Sequence, residues 1–366
     1  MYDYLIVGSG IYGSVFAYEM SKVGKKCLVI EKREHIGGNC YTEKRDNINI
    51  HMYGAHIFHT NDKIIWDWIN QFSEFNNYQH TLKVNYKDSI YSFPINLLTL
   101  NKIWGVNTPS QAQKKLESVR IENINTNNLE EWILSQVGEE IYNIFIKGYT
   151  TKQWNRDPKE LPSSIIKRLP IRLNFDDNYF FDKYQGIPVD GYTKIFEKIY
   201  QEIEVRTNVD YFKNREYFDS IAKKIVFTGK IDEFFNYKFG ELEYRSLTFE
   251  NELHNIEDYQ GCSVMNYTDS DVLYTRICEH KHFENSKSNV TWITKEYPKN
   301  YEKGDIPYYP INDEKNNKIY QKYKDLSKDY SNLIFGGRLS EYRYYDMHQV
   351  IGSALKKVKD EQDRIY

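Results

Sequence analysis

The stretch YLIVGSGIYG, residues 4–13, joins an apolar strand to a glycine-rich turn, and a helical pattern and a second apolar strand follow it up to Glu31. In such a turn the three glycines, Gly8, Gly10 and Gly13, allow a tight turn, close approach of a pyrophosphate and close helix packing. The helix that follows turns its positive N-terminus towards the phosphates. Glu31 follows Gly13 by 18 residues, near the distance at which an acidic side chain meets the ribose hydroxyls. The stretch therefore predicts a Rossmann-type unit that binds a dinucleotide.

The residues after the second strand bear on which dinucleotide is bound. The segment EKR, residues 31–33, and the later IGGN, residues 36–39, resemble the extended signature of flavoproteins in which FAD lies along the N-terminal Rossmann unit. Periodicity alone does not separate FAD from NAD, and a glycine pair is also ordinary loop punctuation. The resemblance favours FAD, and the cofactor contacts expected from the two motifs are Gly8, Gly10, Gly13, Glu31, Lys32, Gly38 and Asn39.

Length, charge and cysteine content favour a multidomain enzyme of a reducing compartment. The chain has 366 residues, enough for two or three structural units with a sizeable core. Its 49 basic and 52 acidic residues nearly cancel and form no like-charged block, which argues against a nucleic-acid partner. No apolar run approaches the roughly 20 residues that span a bilayer, so we expect no membrane insertion. The 4 cysteines have neither a CxxC pair nor metal-ligand spacing, which predicts reduced thiols, a cytoplasmic location and no metal site.

Hydrophobic periodicity divides the chain into an interrupted Rossmann unit and two insertions. Apolar residues at helical spacing, such as Leu129, Ile133 and Val137, predict helices in the first insertion. Short alternating stretches such as residues 290–293 predict antiparallel strands in the second. The predicted fold class is α/β, with a Rossmann-type FAD-binding domain at residues 1–76, 186–235 and 312–366, an inserted helical domain at 95–165, and an inserted antiparallel β-sheet domain for the substrate at 77–94, 166–185 and 236–311.

Capping residues predict two helix starts. Asn61 precedes an apolar helical face that includes Ile64 and Ile65, and we expect it to be the N-cap. Asp346, followed three residues later by Gln349, is typical of a capping box at the start of the last helix. That last helix is expected to rejoin the FAD-binding domain.

A second set of motifs runs through all three predicted units. They are YGAHIFHT (53–60), KGYTTKQW (147–154), IKRLP (166–170), DDNYF (176–180), YQGIP (184–188), EYRS (243–246), YTRI (274–277), IPYYP (306–310) and YRYYDM (342–347). In order and spacing they resemble bacterial UDP-galactopyranose mutases, and the resemblance covers essentially the whole chain. A set spread over three units is far more specific than a Rossmann fingerprint, which does not determine function.

The resemblance implies an isomerase that interconverts UDP-galactopyranose and UDP-galactofuranose through a covalent flavin–sugar intermediate formed by reduced FAD, with no net redox change. The residues agree in one respect, because no Ser-His-Asp order, paired acidic motif or metal spacing offers a nucleophile. The cofactor is then expected to carry the chemistry while the protein binds and orients. The family further implies a homodimer that acts in the synthesis of cell-envelope polysaccharide such as lipopolysaccharide.

Several residues match positions that the family uses for the nucleotide sugar. Arg168 and Arg276 match paired arginines at the diphosphate, which guanidinium groups hold in bidentate fashion. The resemblance implies tyrosine hydroxyls beside the same diphosphate (Tyr179, Tyr309 and Tyr344), an aromatic pair at the uridine (Tyr149 and Trp154) and a further arginine in the cleft (Arg245). Catalytic roles are expected for Arg168, Arg276 and, beside the flavin or the sugar, His59.

The resemblance also extends the cofactor site beyond the first forty residues. It implies His56 beside the flavin, Arg338 near the FAD pyrophosphate and Asp346 near the ribityl chain or the sugar. The stretch 161–179 is expected to form a lid that brings Arg168 to the bound nucleotide, because the substrate must enter and the free nucleotide must be retained.

Other interpretations fit part of the sequence. The Rossmann unit also suits an FAD-dependent oxidoreductase of the amine-oxidase type, the same mutase chemistry suits UDP-N-acetylgalactosamine, and the aromatic surface suits a non-catalytic carbohydrate binder. Trp154 would then be a domain-core anchor and His59 a structural histidine. Tyr308 and Tyr345, which neighbour the chosen tyrosines, are interpreted as packing residues, and Cys40 as a spacer.

Overall fold

The computed structural model describes residues 1–122, 126–167 and 169–364. Its strands are β1 (Tyr2–Val7), β2 (Cys27–Ile30), β3 (Thr42–Arg45), β4 (Ile48–His51), β5 (Phe58–Thr60), β6 (Leu82–Tyr86), β7 (Ser89–Phe93), β8 (Tyr184–Gly186), β9 (Glu204–Arg206), β10 (Ala222–Phe227), β11 (Tyr244–His254), β12 (Val264–Tyr267), β13 (Arg276–Glu279), β14 (Thr291–Asn300), β15 (Tyr309–Pro310) and β16 (Leu333–Phe335). Its helices are α1 (Ile11–Lys22), α2 (Lys63–Ile69), α3 (Leu97–Trp104), α4 (Pro109–Val119), α5 (Leu129–Ile141), α6 (Gly148–Trp154), α7 (Thr193–Ile199), α8 (Arg215–Ile221), α9 (Ile231–Phe234), α10 (Lys281–Glu284), α11 (Glu314–Ser327) and α12 (Met347–Gln362). A π-helical segment, Tyr142–Lys147, joins α5 to α6. In the described ranges, no helix is both long enough and apolar enough to cross a membrane.

A five-stranded parallel sheet, in the order β16-β10-β1-β2-β9, forms the base of the cofactor unit. Because successive side chains of a strand point to opposite faces, Leu5 and Ile6 are both buried but belong to different clusters. Ile6 shares a cluster with residues of α1, α7 and α12, and Leu5 shares one with residues around α8. Both faces of the sheet are therefore covered, which explains the continuous apolar run of β1. The predicted α/β fold with a Rossmann-type unit is confirmed.

A seven-stranded sheet, in the order β15-β11-β14-β13-β12-β6-β7, forms the second unit. Its neighbouring strands are antiparallel except for β12 and β6, which run parallel. The predicted antiparallel sheet is therefore confirmed at every neighbouring pair except this one. The β6–β7 hairpin comes from a distant part of the chain, so no tight turn fixes its direction against β12.

Helices α3, α4 and α5 pack on the seven-stranded sheet. Ile133 and Val137 of α5 belong to the same buried cluster as Leu82 and Val84 of β6. The helical region and the sheet thus share one core. The domain boundaries stay a prediction. Within the described part of residues 166–185, no strand joins the seven-stranded sheet, and β8 pairs with β5 instead.

The two predicted helix starts have different outcomes. The N–H of Asp346 donates to Gln349 Oε1 at 2.9 Å at the start of α12, which confirms the capping box. The N-cap of α2 is Asp62, whose carboxylate accepts from backbone N–H groups of the first turn. Asn61 donates its side-chain amide to Asp182 instead. The prediction of Asn61 as the cap was wrong because a partner from a distant segment occupies its side chain.

Candidate active site

One large cavity lies at the carboxyl ends of the parallel strands and reaches the seven-stranded sheet. Its volume is about 1630 Å³, above the roughly 300–1,000 Å³ typical of a site for one small ligand. The parallel-sheet unit contributes the glycine turn of residues 8–13, and the other unit contributes Tyr149, Arg276 and Tyr309. The cavity therefore has room for a cofactor and a substrate together.

We call the part of the cavity formed by residues 8–13 and 31–40 the cradle, and its lining includes five glycines, Gly8, Gly10, Gly13, Gly37 and Gly38. A Cβ atom on Gly13 would lie 2.1 Å from Gly8 O, so only glycine lets α1 start this close to β1. Gly10 is the N-cap of α1, where N–H groups and the helix dipole favour an anion. The cavity lining includes every cofactor residue predicted from the sequence: Gly8, Gly10, Gly13, Glu31, Lys32, Gly38, Asn39, His56, Arg338 and Asp346.

Two arginines, Arg33 within the cradle and Arg338 on the same cavity wall, have buried N–H groups that need an acceptor. Arg33 Nη2 donates to Asn39 Oδ1 at 2.8 Å. Arg33 Nη1 and Arg338 Nε are buried and have no hydrogen-bond partner among the described residues. Because buried donors are rarely left unpaired, they indicate a missing acceptor. A dinucleotide pyrophosphate fits this position, since guanidinium groups and a helix N-terminus both bind phosphate oxygens.

Three further predicted cofactor residues differ in how they are held. Glu31 accepts from the N–H groups of Ser9 and Arg33, at 2.9 Å each, so its carboxylate is fixed at the end of β2. His56 is held by Gly54, and burial lowers the pKa of its imidazole to about 4, so the ring is neutral. The side chain of Lys32 is 73% exposed. Lys32 therefore offers little to a buried cofactor.

A further part of the cavity is what we call the arginine–tyrosine wall, defined by Tyr149, Arg276, Glu296 and Tyr309 from the second unit and by Tyr344, which lies between β16 and α12 of the cofactor unit. Arg276 Nη2 donates to Tyr149 Oη at 3.1 Å, and Arg276 Nε lies 3.7 Å from a carboxylate oxygen of Glu296. The carboxylate is 4% exposed, so it holds the guanidinium from behind. Tyr309 and Tyr344 stack with ring centroids 5.5 Å apart. The wall thus presents one fixed cation among phenol hydroxyls, which suits a phosphate group.

The other aromatic residues predicted for the substrate also line the cavity. Trp154 and Tyr179 are half-buried there. Tyr308 and Tyr345, interpreted from the sequence as packing residues, line the cavity as well. Because β15 has only 2 residues, strand alternation does not turn Tyr308 and Tyr345 away from the cavity.

His59 lies on the cavity wall and is held on two sides. Its Nδ1 is 2.6 Å from Asp182 Oδ2, and its ring stacks on Phe180 with centroids 3.7 Å apart. His80 lies beside Phe180, and burial, together with the charge of Arg276, lowers its pKa to about 3. No motif in the sequence pointed to Asp182 or His80. Phe180 was within reach of prediction, because it ends the DDNYF motif.

The other two predicted substrate arginines have different outcomes. Arg168 lies outside the described residues. Arg245 is 2% exposed and does not line the cavity. Its Nε donates to Gln153 O at 2.9 Å and its Nη2 to Lys152 O at 3.4 Å. The prediction of Arg245 as a substrate contact is corrected, because its guanidinium holds the end of α6 instead.

The cysteines agree with reduced thiols. All four are free, at Cys27, Cys40, Cys262 and Cys278. Burial raises the pKa of Cys40 to about 12, so its thiol stays protonated on the cavity wall. This geometry supports the interpretation of Cys40 as a spacer.

Two groups of described residues bring three possible metal ligands within 4.8 Å of one another, His59 with Asp346 and His348, and Asp258 with Glu279 and His282. In the second group the carboxylate of Glu279 already accepts from Thr291 and from two backbone N–H groups. In the first, His59 is engaged by Asp182. The absence of a metal stays a prediction.

Comparison with known proteins identifies the family. The sequence profile described as UDP-galactopyranose mutase matches residues 144–344, and an NAD(P)-binding Rossmann-like domain matches residues 6–72. The chain is 42% identical to a dTDP-fucopyranose mutase of Escherichia coli, over 96% of both chains. It is 39% identical to a probable UDP-galactopyranose mutase of Klebsiella pneumoniae, over 96% of this chain and 92% of the relative.

A solved structure supports the same conclusion at the level of the fold. The crystal structure of a reduced UDP-galactopyranose mutase matches 99% of this chain and 94% of its own, with a TM-score of 0.77 and 14% identity. The predictions of the family and of FAD as the cofactor are confirmed by these matches together with the cradle. The chain belongs to the UDP-galactopyranose mutase family of FAD-dependent isomerases.

Proposed function

We propose that this enzyme interconverts the pyranose and furanose forms of a nucleoside-diphosphate sugar, with UDP-galactose as the substrate. The observation that carries the proposal is the Arg276–Tyr149 contact, which lies in the same cavity as the cradle. A cation and hydroxyl donors next to a dinucleotide site support the binding of a diphosphate beside the cofactor. The relative from Klebsiella pneumoniae, 39% identical, is named a probable UDP-galactopyranose mutase.

The wall has a distinct task in such an isomerisation. The chemistry expected from FAD, when bound and reduced, is nucleophilic attack at the anomeric carbon. The diphosphate leaves the sugar, must stay close, and must return after the ring has changed size. Arg276, Tyr149, Tyr309 and Tyr344 are the residues that we assign to hold it, because charge-assisted donors stabilise a developing negative charge. Glu296 keeps the Arg276 guanidinium in place.

Three predicted roles belong to this proposal. We place Trp154 at the nucleobase, as its side chain lies on the same helix as Tyr149. We assign His59 to the sugar side of the cavity, with its ring fixed by Asp182. Arg168 is proposed as a second diphosphate ligand, carried by a lid of residues 161–179.

A second substrate has direct support. The Escherichia coli relative, 42% identical, is named a dTDP-fucopyranose mutase. Fucose differs from galactose by one hydroxyl, and the two nucleosides differ by a methyl group and a ribose hydroxyl, whereas the diphosphate is the same. The arginine–tyrosine wall therefore suits both substrates. Selection between them must come from the ends of the cavity.

The test is an anaerobic turnover assay with the furanose forms of both nucleotide sugars, with and without dithionite. Conversion of UDP-galactofuranose to UDP-galactopyranose only when the flavin is reduced supports the proposal. Faster conversion of the dTDP-fucose pair would show that dTDP-fucose, not UDP-galactose, is the preferred substrate. Formation of hydrogen peroxide, or reduction of the flavin by the substrate, would overturn the proposal and show that the enzyme is an oxidoreductase. The same assay can be run with UDP-N-acetylgalactosamine as a third candidate substrate.

The assembly and location predicted from the sequence remain part of the proposal. A homodimer follows from the family, and light scattering of the purified protein would check it against a monomer mass of 43.9 kDa. The four free cysteines agree with a reducing compartment such as the cytoplasm.

A further inference from the structure

Helix α6 faces the cavity with Tyr149 and Trp154, and its remaining surface is anchored to the seven-stranded sheet by Lys152. Lys152 does not line the cavity. Its Nζ lies 2.8 Å from three backbone carbonyl oxygens, those of Tyr267, Asp269 and Val272, and 3.1 Å from that of Tyr274. The loop between β12 and β13 is thus wrapped around one ammonium group.

This arrangement is a cation site built from carbonyl groups. An ammonium carries three protons, so four carbonyl oxygens saturate it. In the described ranges, no carboxylate lies within ion-pair distance of Nζ. Burial lowers the pKa of Lys152 to about 8, although the charge of Asp269 opposes the shift, so the group is still charged at neutral pH. Lys152 is therefore the shared hydrogen-bond donor for these carbonyl groups, and they are the acceptors that allow its ammonium to be buried.

The same loop leads directly to the arginine–tyrosine wall. Arg276 is the first residue of β13, two positions after Tyr274. The N–H of Tyr267 donates to Thr275 O at 2.9 Å, which closes the loop just before Arg276. A change in the loop would consequently move the guanidinium that contacts Tyr149.

The start of α6 touches the loop through backbone atoms alone. A Cβ atom on Gly148 would lie 2.2 Å from Thr268 O, so the helix and the loop approach as closely as glycine permits. At the other end of the helix, Arg245 of β11 donates to Lys152 O and Gln153 O. Helix α6 is therefore held at its start, its middle and its end.

We propose that Lys152 is a positioning residue that sets the Tyr149–Arg276 contact by holding the β12–β13 loop against α6. Lys152 preassembles the half of the site that takes the nucleoside diphosphate. This inference rests on the proposed function. Lys152 acts through the backbone of the loop and touches neither ligand.

The test compares the flavin-loaded, full-length enzyme with its Lys152→Met variant, using UDP as the probe. Methionine has a similar length but donates nothing, so four carbonyl groups lose their partner. We expect the Kd for UDP to rise about tenfold or more, the FAD content to stay at the wild-type level, and KM to change more than kcat. Lys147→Met is the matched control, because Lys147 precedes the same helix and is exposed. Its Kd should stay within about twofold of the wild-type value.

A double-mutant cycle separates positioning from a general structural role. If Lys152 acts through the Tyr149–Arg276 contact, Tyr149→Phe should weaken UDP binding clearly in the wild type and little in Lys152→Met, because the two changes remove the same contact. Additive effects would overturn the proposal. So would a folded Lys152→Met variant with the wild-type Kd.

If Lys152→Met does not fold, Lys152→Gln takes its place, since the amide retains two donors but not the charge. A severalfold rise of its Kd with full FAD content supports the proposal, and an unchanged Kd overturns it. If the wild-type enzyme binds neither UDP nor dTDP, the proposed function is contradicted, and the positioning role of Lys152 is contradicted with it. If dTDP binds instead of UDP, the same comparison is made with dTDP.

Discussion

The cradle and the arginine–tyrosine wall lie in one cavity but are built in different ways. The cradle comes from two short segments, residues 8–13 and 31–40, and its glycine turn presents backbone. The wall brings together side chains as far apart in the chain as Tyr149 and Arg276, which are separated by 127 residues. A backbone site is specified by local turn geometry, whereas a side-chain site depends on how remote elements pack. The two regions should therefore fail differently when they are mutated.

The largest effect is expected in the cradle, from Gly13→Ala. The new methyl group would meet Gly8 O at 2.1 Å, and backbone cannot move aside as a flexible side chain can. We expect a loss of about 3 kcal/mol or more of stability and no bound FAD. Denaturant unfolding and the ratio of flavin to protein absorbance measure both.

Gly10→Ala is the matched control for that change. Its Cβ atom would come no closer than 3.9 Å to another residue, and it would face the pyrophosphate position. This variant should fold like the wild type and still lose FAD. Full FAD retention in either variant would contradict the proposed role of the turn.

On the wall, Arg276→Ala should weaken UDP binding by about 100-fold, or roughly 2.8 kcal/mol. The change removes a charged donor and leaves the buried carboxylate of Glu296 without its cation. The FAD content should stay unchanged, which is the opposite of the result in the cradle. Calorimetric titration with UDP gives the affinity.

Arg276→Lys sharpens the comparison. It retains the charge but not the planar fork, so we expect intermediate affinity. If the UDP affinity equals that of the wild type, the positive charge alone is sufficient and the contact with Tyr149 does not contribute measurably to binding.

Acidification should affect both regions through one neutral histidine in each, His56 near the cradle and His80 near Arg276. Burial lowers their pKa values to about 4 and about 3, below the 6.5 of the unfolded chain. The unfolded state therefore binds more protons below pH 6.5, and stability falls as the pH is lowered from there towards 3. For His80 the loss between pH 7 and pH 4.5 should reach about 2–3 kcal/mol.

Urea unfolding of wild type and His80→Gln at the two pH values isolates that contribution. The variant should lose about 2–3 kcal/mol less than the wild type on acidification. An identical loss in both proteins would mean that His80 does not titrate in this range.

The smallest effect is expected from Lys32→Ala. Its side chain is 73% exposed and its ammonium lies 3.6 Å from Asp210. Exposed ion pairs contribute little, so stability should change by at most about 0.5 kcal/mol. FAD affinity should change less than twofold, which thermal unfolding with and without added FAD would reveal. A large loss of FAD would show that Lys32, although exposed, contacts the cofactor.

Features whose partners lie close together in the sequence were predicted correctly, whereas features that depend on remote residues were not. The capping box of Asp346 and Gln349 was predicted correctly, because both partners lie within one helical turn. Asn61 was assigned wrongly as a cap because Asp182, a remote residue, accepts from it. The parallel pairing of β6 with β12 is a similar case, since no local signal fixes the direction of a strand against a distant partner.

Local sequence is enough to specify the cradle and its Rossmann unit, because a tight turn and a helix start need particular residues within a few positions of one another. The resemblance also indicated the arginine and the tyrosines of the wall, but not Glu296. Which of the predicted side chains meet depends on how the chain packs: Arg276 contacts Tyr149, whereas Arg245 donates to backbone carbonyl groups of α6. Motif spacing does not contain such contacts, because they arise when a core closes around elements far apart in the chain.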